Sequence, residues 1–369
     1  MKTAAEVWFA PGRANLMGEH TDYNEGLVLP FALARGVTAT AAARDDGLLV
    51  LSSKQVPDDA VTVSLDSLAP GSVRGWAAYP AGVAWSLLAA GYPVRGASVD
   101  VDSDLPVGAG VSSSAALECS VALALCSLSG LTVPRPELAG IARRAENEFV
   151  GAPTGIIDQS AALLCEQGNA MLLDCGTHRA TQVPFLPAAA GATALIIDTR
   201  VTHALVSGEY AARRAECEEA ARLLRVRALA SVTDLSRLSE IADPVLRRRA
   251  RHVLTDCARA RGMSAALLAR EGEVYPYLGR LLLEGHASLR DDFEVSWPEA
   301  DVAVEAAMAA GAYGAKMIGG GFGGSVLALL PESRARAARA ALTEAYAGRG
   351  WTAPDFIDAV PSPAARRLR

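Results

Sequence analysis

The sequence predicts a fold of mixed helices and strands in about two domains. Three observations carry this. The chain has 369 residues, of which 51% are apolar and 21% charged, enough to bury a sizeable core in more than one unit. Short β-prone segments crowd its first half, whereas helical periodicity dominates residues 244–310. Between them, the Pro- and Ala-rich residues 183–191 form the best candidate for a domain junction.

Each element follows from local pattern. Residues 5–10 and 27–43 are rich in Val, Leu and Thr and read as strands, and Arg44-Asp45-Asp46-Gly47 supplies turn chemistry before a strand at 48–53. Residues 61–65 and 97–102 alternate polar with apolar, as half-buried strands do. Residues 75–94 carry no charge and are long enough to cross a bilayer, but Pro80, Pro93 and three glycines interrupt them, so a buried helix over 76–89 is expected instead. A second helix starts at Pro134 and runs to Val150, with Arg143, Arg144, Glu146 and Glu148 on a charged face. Strands are expected at 169–174, 192–197, 315–318 and 325–330. Residues 208–225 read as an amphipathic helix whose Tyr210, Cys217 and Leu224 recur every seven positions, a spacing that marks a core face.

Three stretches stand apart. Residues 10–30 place Arg13, Asn15, Glu19, His20, Thr21, Asp22, Tyr23 and Asn24 in a run that fits neither a helix nor a strand. Such an irregular segment offers donors and acceptors at many angles, as a polyhydroxylated ligand requires. Next, Gly108-Ala109-Gly110-Val111-Ser112-Ser113-Ser114 precedes an almost wholly apolar run to Leu128. A helix apolar on all sides is interior, so its amino end is fixed in place, with bare amides that suit phosphate and serine hydroxyls that can donate or ligate magnesium. The same residues also suit a plainly capped helix. No Lys-Ser or Lys-Thr follows the glycines, so this is not a Walker loop. Finally, Gly319, Gly321 and Gly324 match G-x-G-x-x-G, but the strand expected after them excludes a dinucleotide fingerprint. Asp158 reads either as a helix-start acid or as a positioned base. The dense polar run at 285–296 has no independent explanation from pattern.

Other classes are excluded by composition. A net charge of −6 and short basic runs, Arg247-Arg248-Arg249 with Arg251 and the tail at 366–369, give no nucleic-acid footprint, and these runs are expected to be solvated faces. The six cysteines form no Cys-x-x-Cys pair and are expected to be reduced and buried. Residues 1–11 lack a secretory signal, and the chain is expected to be cytoplasmic, with no membrane partner.

Together the special stretches resemble the galactokinases, a family within the GHMP small-molecule kinases. P-G-R-A-N-L-M-G-E-H-T-D-Y-N-x-G resembles the galactokinase signature, P-V-G-A-G-V-S-S-S-A-A-L-E the phosphate loop, and K-M-I-G-G-G-F-G-G-S the third motif. S-L-R-D-D-F-E-V-S also looks like this family. The resemblance implies an α+β fold of two lobes, an N-terminal α/β domain over 1–185 and a C-terminal ferredoxin-like domain over 186–369, with the active site in the cleft between them. By position it implies that Glu19, His20, Thr21, Asp22, Gly155 and Tyr210 meet the sugar, that Asp158 is the catalytic carboxylate and that Arg13 is its cationic partner. Residues Gly108 to Ser114 would wrap the triphosphate of ATP, while Ser114 and Glu146 would hold Mg2+. The implied reaction is phosphorylation of galactose at C1 by a monomer; a kinase for another hexose or N-acetylgalactosamine, and a sugar- and ATP-binding sensor without catalysis, are the alternatives. Thr154 stands where the family often has Cys, and Ala14 and Met17 where Val and Ile are usual.

Overall fold

Runs of Val, Leu, Thr and Ala at the amino end pair into strands, and the polar turns between them return the chain on itself. The computed structural model describes residues 5–106, 108–202, 206–269 and 273–369. In chain order it contains β1 (Glu6–Asn15), β2 (Leu27–Val28), β3 (Pro30–Arg44), β4 (Leu48–Ser53), β5 (Val61–Ser64), α1 (Ala78–Ala89), β6 (Gly96–Ser103), α2 (Ser113–Leu128), α3 (Arg135–Arg144) and α4 (Ile157–Leu164). There follow β7 (Asn169–Asp174), β8 (Arg179–Pro184), β9 (Ala192–Asp198), α5 (Val206–Leu223), α6 (Pro244–Ala269), α7 (Val274–Ala287), α8 (Pro298–Ala309), β10 (Gly314–Ile318), β11 (Ser325–Pro331), α9 (Ala335–Ala347), β12 (Asp355–Asp358) and β13 (Arg366–Arg367).

Six strands form a sheet in the order β13-β1-β3-β6-β4-β5, antiparallel except for the parallel β4–β6 pair. Helix α2 packs on β1 and β3, with α1, α3 and α4 around it. As its composition requires, α2 is interior: Ala115, Ala116, Cys119, Val121, Ala122, Ala124 and Leu125 are all fully buried. The second sheet, β10-β11-β9-β12, is antiparallel and backs a separate core that includes Cys217 of α5, Leu224 just past its end and Leu342 of α9. Strands β2, β7 and β8 make a small third sheet. The division expected after residue 185 falls between β8 and β9, while β13 returns to pair with β1 of the first sheet.

Two expectations need correction. The opening stretch is not irregular from Ala10: β1 continues through Arg13 to Asn15, with a register shift between Pro11 and Arg13. Both faces of this part of β1 are buried, which removes the alternation that marks a half-exposed strand. The basic run near 249 is likewise not a wholly solvated face. Arg249 is 2% exposed, and its guanidinium meets Glu216 at 2.6 Å, Glu294 at 2.6 Å and the Asp292 carbonyl at 2.6 Å. Burying that charge is tolerable because its donors are matched. All six cysteines are unpaired and buried. No described helix is long and apolar enough to cross a membrane.

Candidate active site

Residues from both halves of the chain line one cavity of about 420 Å³. Arg13 and Asn15 enter it from the end of β1, Gly18, Glu19, His20 and Asp22 from the loop that follows, and Gly108 with residues 110–114 from the amino end of α2. Thr154, Gly155, Ile157 and Asp158 come from the start of α4, Tyr210 from α5, and Gly319 and Gly320 from the loop joining β10 to β11. That last loop leads into a strand, as expected, and not into a nucleotide-binding helix.

Arg13 and Asp158, separated by 145 positions, meet with Nε to Oδ1 at 2.8 Å. Strand β1 fixes the guanidinium by backbone pairing of Arg13 with Ala32, and Arg13 Nη1 also donates to the Gly110 carbonyl at 2.5 Å. The pair therefore sits against the glycine loop. Asp158 lies in the first turn of α4, so it is a helix-start acid as well as an ion-pair partner.

Asp22 is buried beside Asp158. Burial first, and then the negative charge of Asp158, push its carboxyl up to about 6, partly opposed by the backbone amides of Tyr23 and Ile157. Gly155 makes this possible, because a Cβ there would lie 1.6 Å from Asp22 Oδ2. His20 is held neutral: burial, followed by the nearby His252, lowers its pKa to about 3. Its Nε2 lies 3.0 Å from the Gly320 carbonyl, which only accepts, so Nε2 carries the proton and Nδ1 accepts from the Tyr23 hydroxyl at 2.9 Å. The His20 ring lines the cavity, then, with both nitrogens already bonded. Thr21 does not line the cavity: its hydroxyl is 2.9 Å from the Gly18 carbonyl and 2.8 Å from that of Leu27, closing the loop on itself. Tyr210, on the same face as the buried Cys217 and Leu224, is the member of that heptad series that reaches the cavity.

At the glycine loop, Ser112 caps α2 in the left-handed region at φ 62°, and its buried hydroxyl has no partner. Ala109 is turned inward, its carbonyl accepting from Ser325 Oγ at 2.7 Å. Ser114 Oγ donates to Glu146 Oε1 at 2.9 Å, and Glu146 Oε2 accepts from Thr154 at 2.7 Å and Gln159 at 2.8 Å. The second Nε2 proton of Gln159 goes to Glu118 at 2.9 Å, so one amide holds two buried carboxylates. Burial raises the pKa of Glu146, with a further push from Asp158. Every hydrogen-bond partner of the Glu146 carboxylate is neutral, which leaves a buried acid beside the glycine loop without a counter-charge.

Comparison with known proteins decides the family. Galactokinase of Streptomyces coelicolor is 48% identical over 366 residues, covering 98% of this chain and 94% of that protein. The chain belongs to the galactokinase family. Mycobacterium tuberculosis galactokinase is 42% identical over 98% of both chains. Family profiles agree: the galactokinase galactose-binding signature matches residues 2–43, the GHMP kinases N terminal domain residues 78–166 and the GHMP kinases C terminal domain residues 265–348. Among solved structures, Lactococcus lactis galactokinase complexed with galactose superposes with a TM-score of 0.94 at 33% identity, over 99% of this chain and 95% of that one. Methanococcus jannaschii mevalonate kinase shares the fold, with a TM-score of 0.67 at 16% identity. The fold is thus the α+β architecture of GHMP kinases, and kinase family membership implies use of ATP.

The galactokinase-like run at 285–296 now has a physical account. Phe293 packs its ring 4.7 Å from His20 and 4.5 Å from His252, the Asp292 carbonyl and Glu294 hold Arg249, and the Val295 carbonyl accepts from the Phe322 amide in the loop joining β10 to β11 at 2.8 Å. Asn15, one of the polar residues of the opening stretch, has no role that its sequence context specifies. In the galactokinase fold it lines the cavity at 1% exposure with neither amide atom bonded.

Proposed function

We propose that this chain transfers the γ-phosphoryl group of ATP to the C1 hydroxyl of α-D-galactose, releasing α-D-galactose 1-phosphate and ADP. The observation that carries this reading is the Arg13–Asp158 pair, facing a cavity between a polar loop and the serine-rich amino end of a buried helix. Phosphoryl transfer requires alignment and charge neutralisation more than covalent chemistry. Glu19 and Asp22 accept hydroxyls of the sugar, and Tyr210 and the unpartnered Asn15 amide complete its orientation. His20 shapes the wall. Asp158 takes the proton from the C1 hydroxyl, while Arg13 stabilises the oxygen that gains charge. Amides of residues 110–114 and the hydroxyls of Ser112 and Ser113 hold phosphate oxygens at the positive end of α2.

The residues present fit a magnesium ion. Among the described residues no cluster of three or more acidic, His or Cys side chains forms a metal cage, but magnesium bound with a nucleotide takes few protein ligands and several phosphate oxygens. Ser114 and the uncompensated Glu146 carboxylate would hold it, and when bound it supplies positive charge toward the β- and γ-phosphates. Thr154 and Gln159 keep Glu146 aimed at Ser114.

ADP release by the purified protein with galactose, N-acetylgalactosamine, arabinose and glucose tests the reading. Galactose is expected to give the highest kcat/KM. A higher value for another sugar would reassign the substrate, and no sugar-dependent ADP release at all would leave a binding protein.

The Asp22 carboxyl predicts a pH dependence. Its folded pKa, near 6, is above the ordinary carboxylate value, so burial of the neutral form contributes stability at low pH that is lost as pH rises through about 6. The anion that accepts sugar hydroxyls forms only above that value. Galactose kcat/KM is therefore expected to fall as pH drops below about 6, with a limb that Asp22→Asn removes. A profile with the same limb in Asp22→Asn would assign it to another group.

A further inference from the structure

Lys316 lies in β10 with no exposed surface, a placement that a lysine tolerates only when its charge is matched. Its ammonium group donates to Glu19 Oε2, and to the Met317 carbonyl at 3.0 Å. The stem reaches that far because α7 has Gly285 beneath it: a Cβ there would lie 3.1 Å from Lys316 Cδ and 3.0 Å from Met17 Sδ. Only one oxygen of Glu19 is engaged. Oε1 is buried without a partner, on a residue that lines the cavity.

The backbone at the same place is gripped from behind by α6. Gly18 N–H donates to Asp256 Oδ2 at 2.9 Å, and the Glu19 carbonyl accepts from His252 Nε2 at 3.0 Å. His252 is oriented in turn by the Ser288 hydroxyl at 3.0 Å from Nδ1. Three buried side chains from beyond residue 250 thus converge on two residues of the opening loop.

We infer that Lys316 is a positioning residue for sugar recognition: it holds one oxygen of Glu19 so that the other faces a hydroxyl of the bound sugar, while Asp256 and His252 fix the loop backbone at residues 18–19. This rests on the reading of Glu19 as a sugar ligand. A flexible Glu19 would have two equivalent oxygens and many rotamers; tied to Lys316, it presents one acceptor in one direction. The β10–β11 sheet then sets the geometry of a loop almost three hundred positions earlier in the chain.

A double-mutant cycle tests the inference, with Lys316→Met, Glu19→Gln and the combined variant assayed for the KM of both substrates and for thermal midpoint. Lys316→Met is expected to raise the galactose KM by about 30-fold or more while the ATP KM stays within about twofold, the scale for truncating one partner of a buried charge pair. Added to Glu19→Gln, which already lacks the charge, Lys316→Met is expected to change the galactose KM by less than about threefold. Should the single Lys316 variant fail to fold because a buried carboxylate is left alone, the comparison of Glu19→Gln with the double variant, which removes both charges, still decides. Multiplicative effects on galactose KM, or equal losses for galactose and ATP, would overturn the assignment. Wild-type turnover in the same assay keeps the two readings apart: an inactive wild type contradicts both, whereas an active wild type with an unchanged Lys316→Met galactose KM contradicts only this one.

Discussion

Asp158→Asn is expected to lower galactose turnover by about two to four orders of magnitude, the range for loss of a general base. The substitution is chosen because it keeps shape. An asparagine carbonyl can still accept from Arg13 Nε, which now donates to Asp158 at 2.8 Å, so the guanidinium stays on the Gly110 carbonyl and the cavity keeps its wall. What is lost is the capacity to take a proton from the C1 hydroxyl. The KM values for galactose and ATP should move little, and the thermal midpoint should stay near that of the wild type. Steady-state kinetics with both substrates varied makes the check. Turnover within about threefold of the wild type would mean that proton removal is not the work of Asp158.

Gly155→Ala has the second largest expected effect, and it acts through a neighbour. The new methyl group would overlap Asp22, since its position is 1.6 Å from Oδ2 and 2.2 Å from Cγ. Asp22 is itself buried, so the overlap is relieved only if its carboxylate leaves its place. Loss of a charged acceptor for the sugar should raise the galactose KM by about two orders of magnitude, with the ATP KM within about twofold. Thermal melting distinguishes this from general unfolding. An unchanged galactose KM would take Asp22 out of the sugar site.

The elements that patterning anticipates are those whose environment is simple. Half-exposed strands such as β5 alternate, α2 is almost wholly apolar, and Cys217 with Leu224 just beyond the helix marks the core face of α5, so each shows its surroundings in its sequence. β1 beyond Pro11 shows no such alternation because both faces are covered. Residues 331–369 carry α9, β12 and the two-residue β13, none of which was anticipated; β13 exists only through its pairing with Trp8 and Phe9, and no local signal encodes that partner.

Legibility of the site divides along the same line. The polar loop and the glycine-serine turn advertise binding by composition, but the meeting of Arg13 with Asp158 is a tertiary fact that no spacing predicts, and only family resemblance suggested it. Lys316 carries no local signal, because a lysine at the start of a glycine-rich motif looks like an ordinary surface residue. Its complete burial is what reveals it. Arg249 is illegible in its local sequence for the same reason: its counter-charges, Glu216 and Glu294, lie 33 and 45 positions away.

The claim on which the mechanism rests is that the Arg13–Asp158 pair sits over one particular hydroxyl of the sugar. Galactose labelled with carbon-13 at C1, turned over with ATP and followed by carbon-13 and phosphorus-31 NMR, tests it most directly. The account predicts a product whose labelled C1 is split by coupling to phosphorus and has the α configuration. A singlet at C1 beside a phosphorylated product, with the phosphate on another carbon, would contradict it.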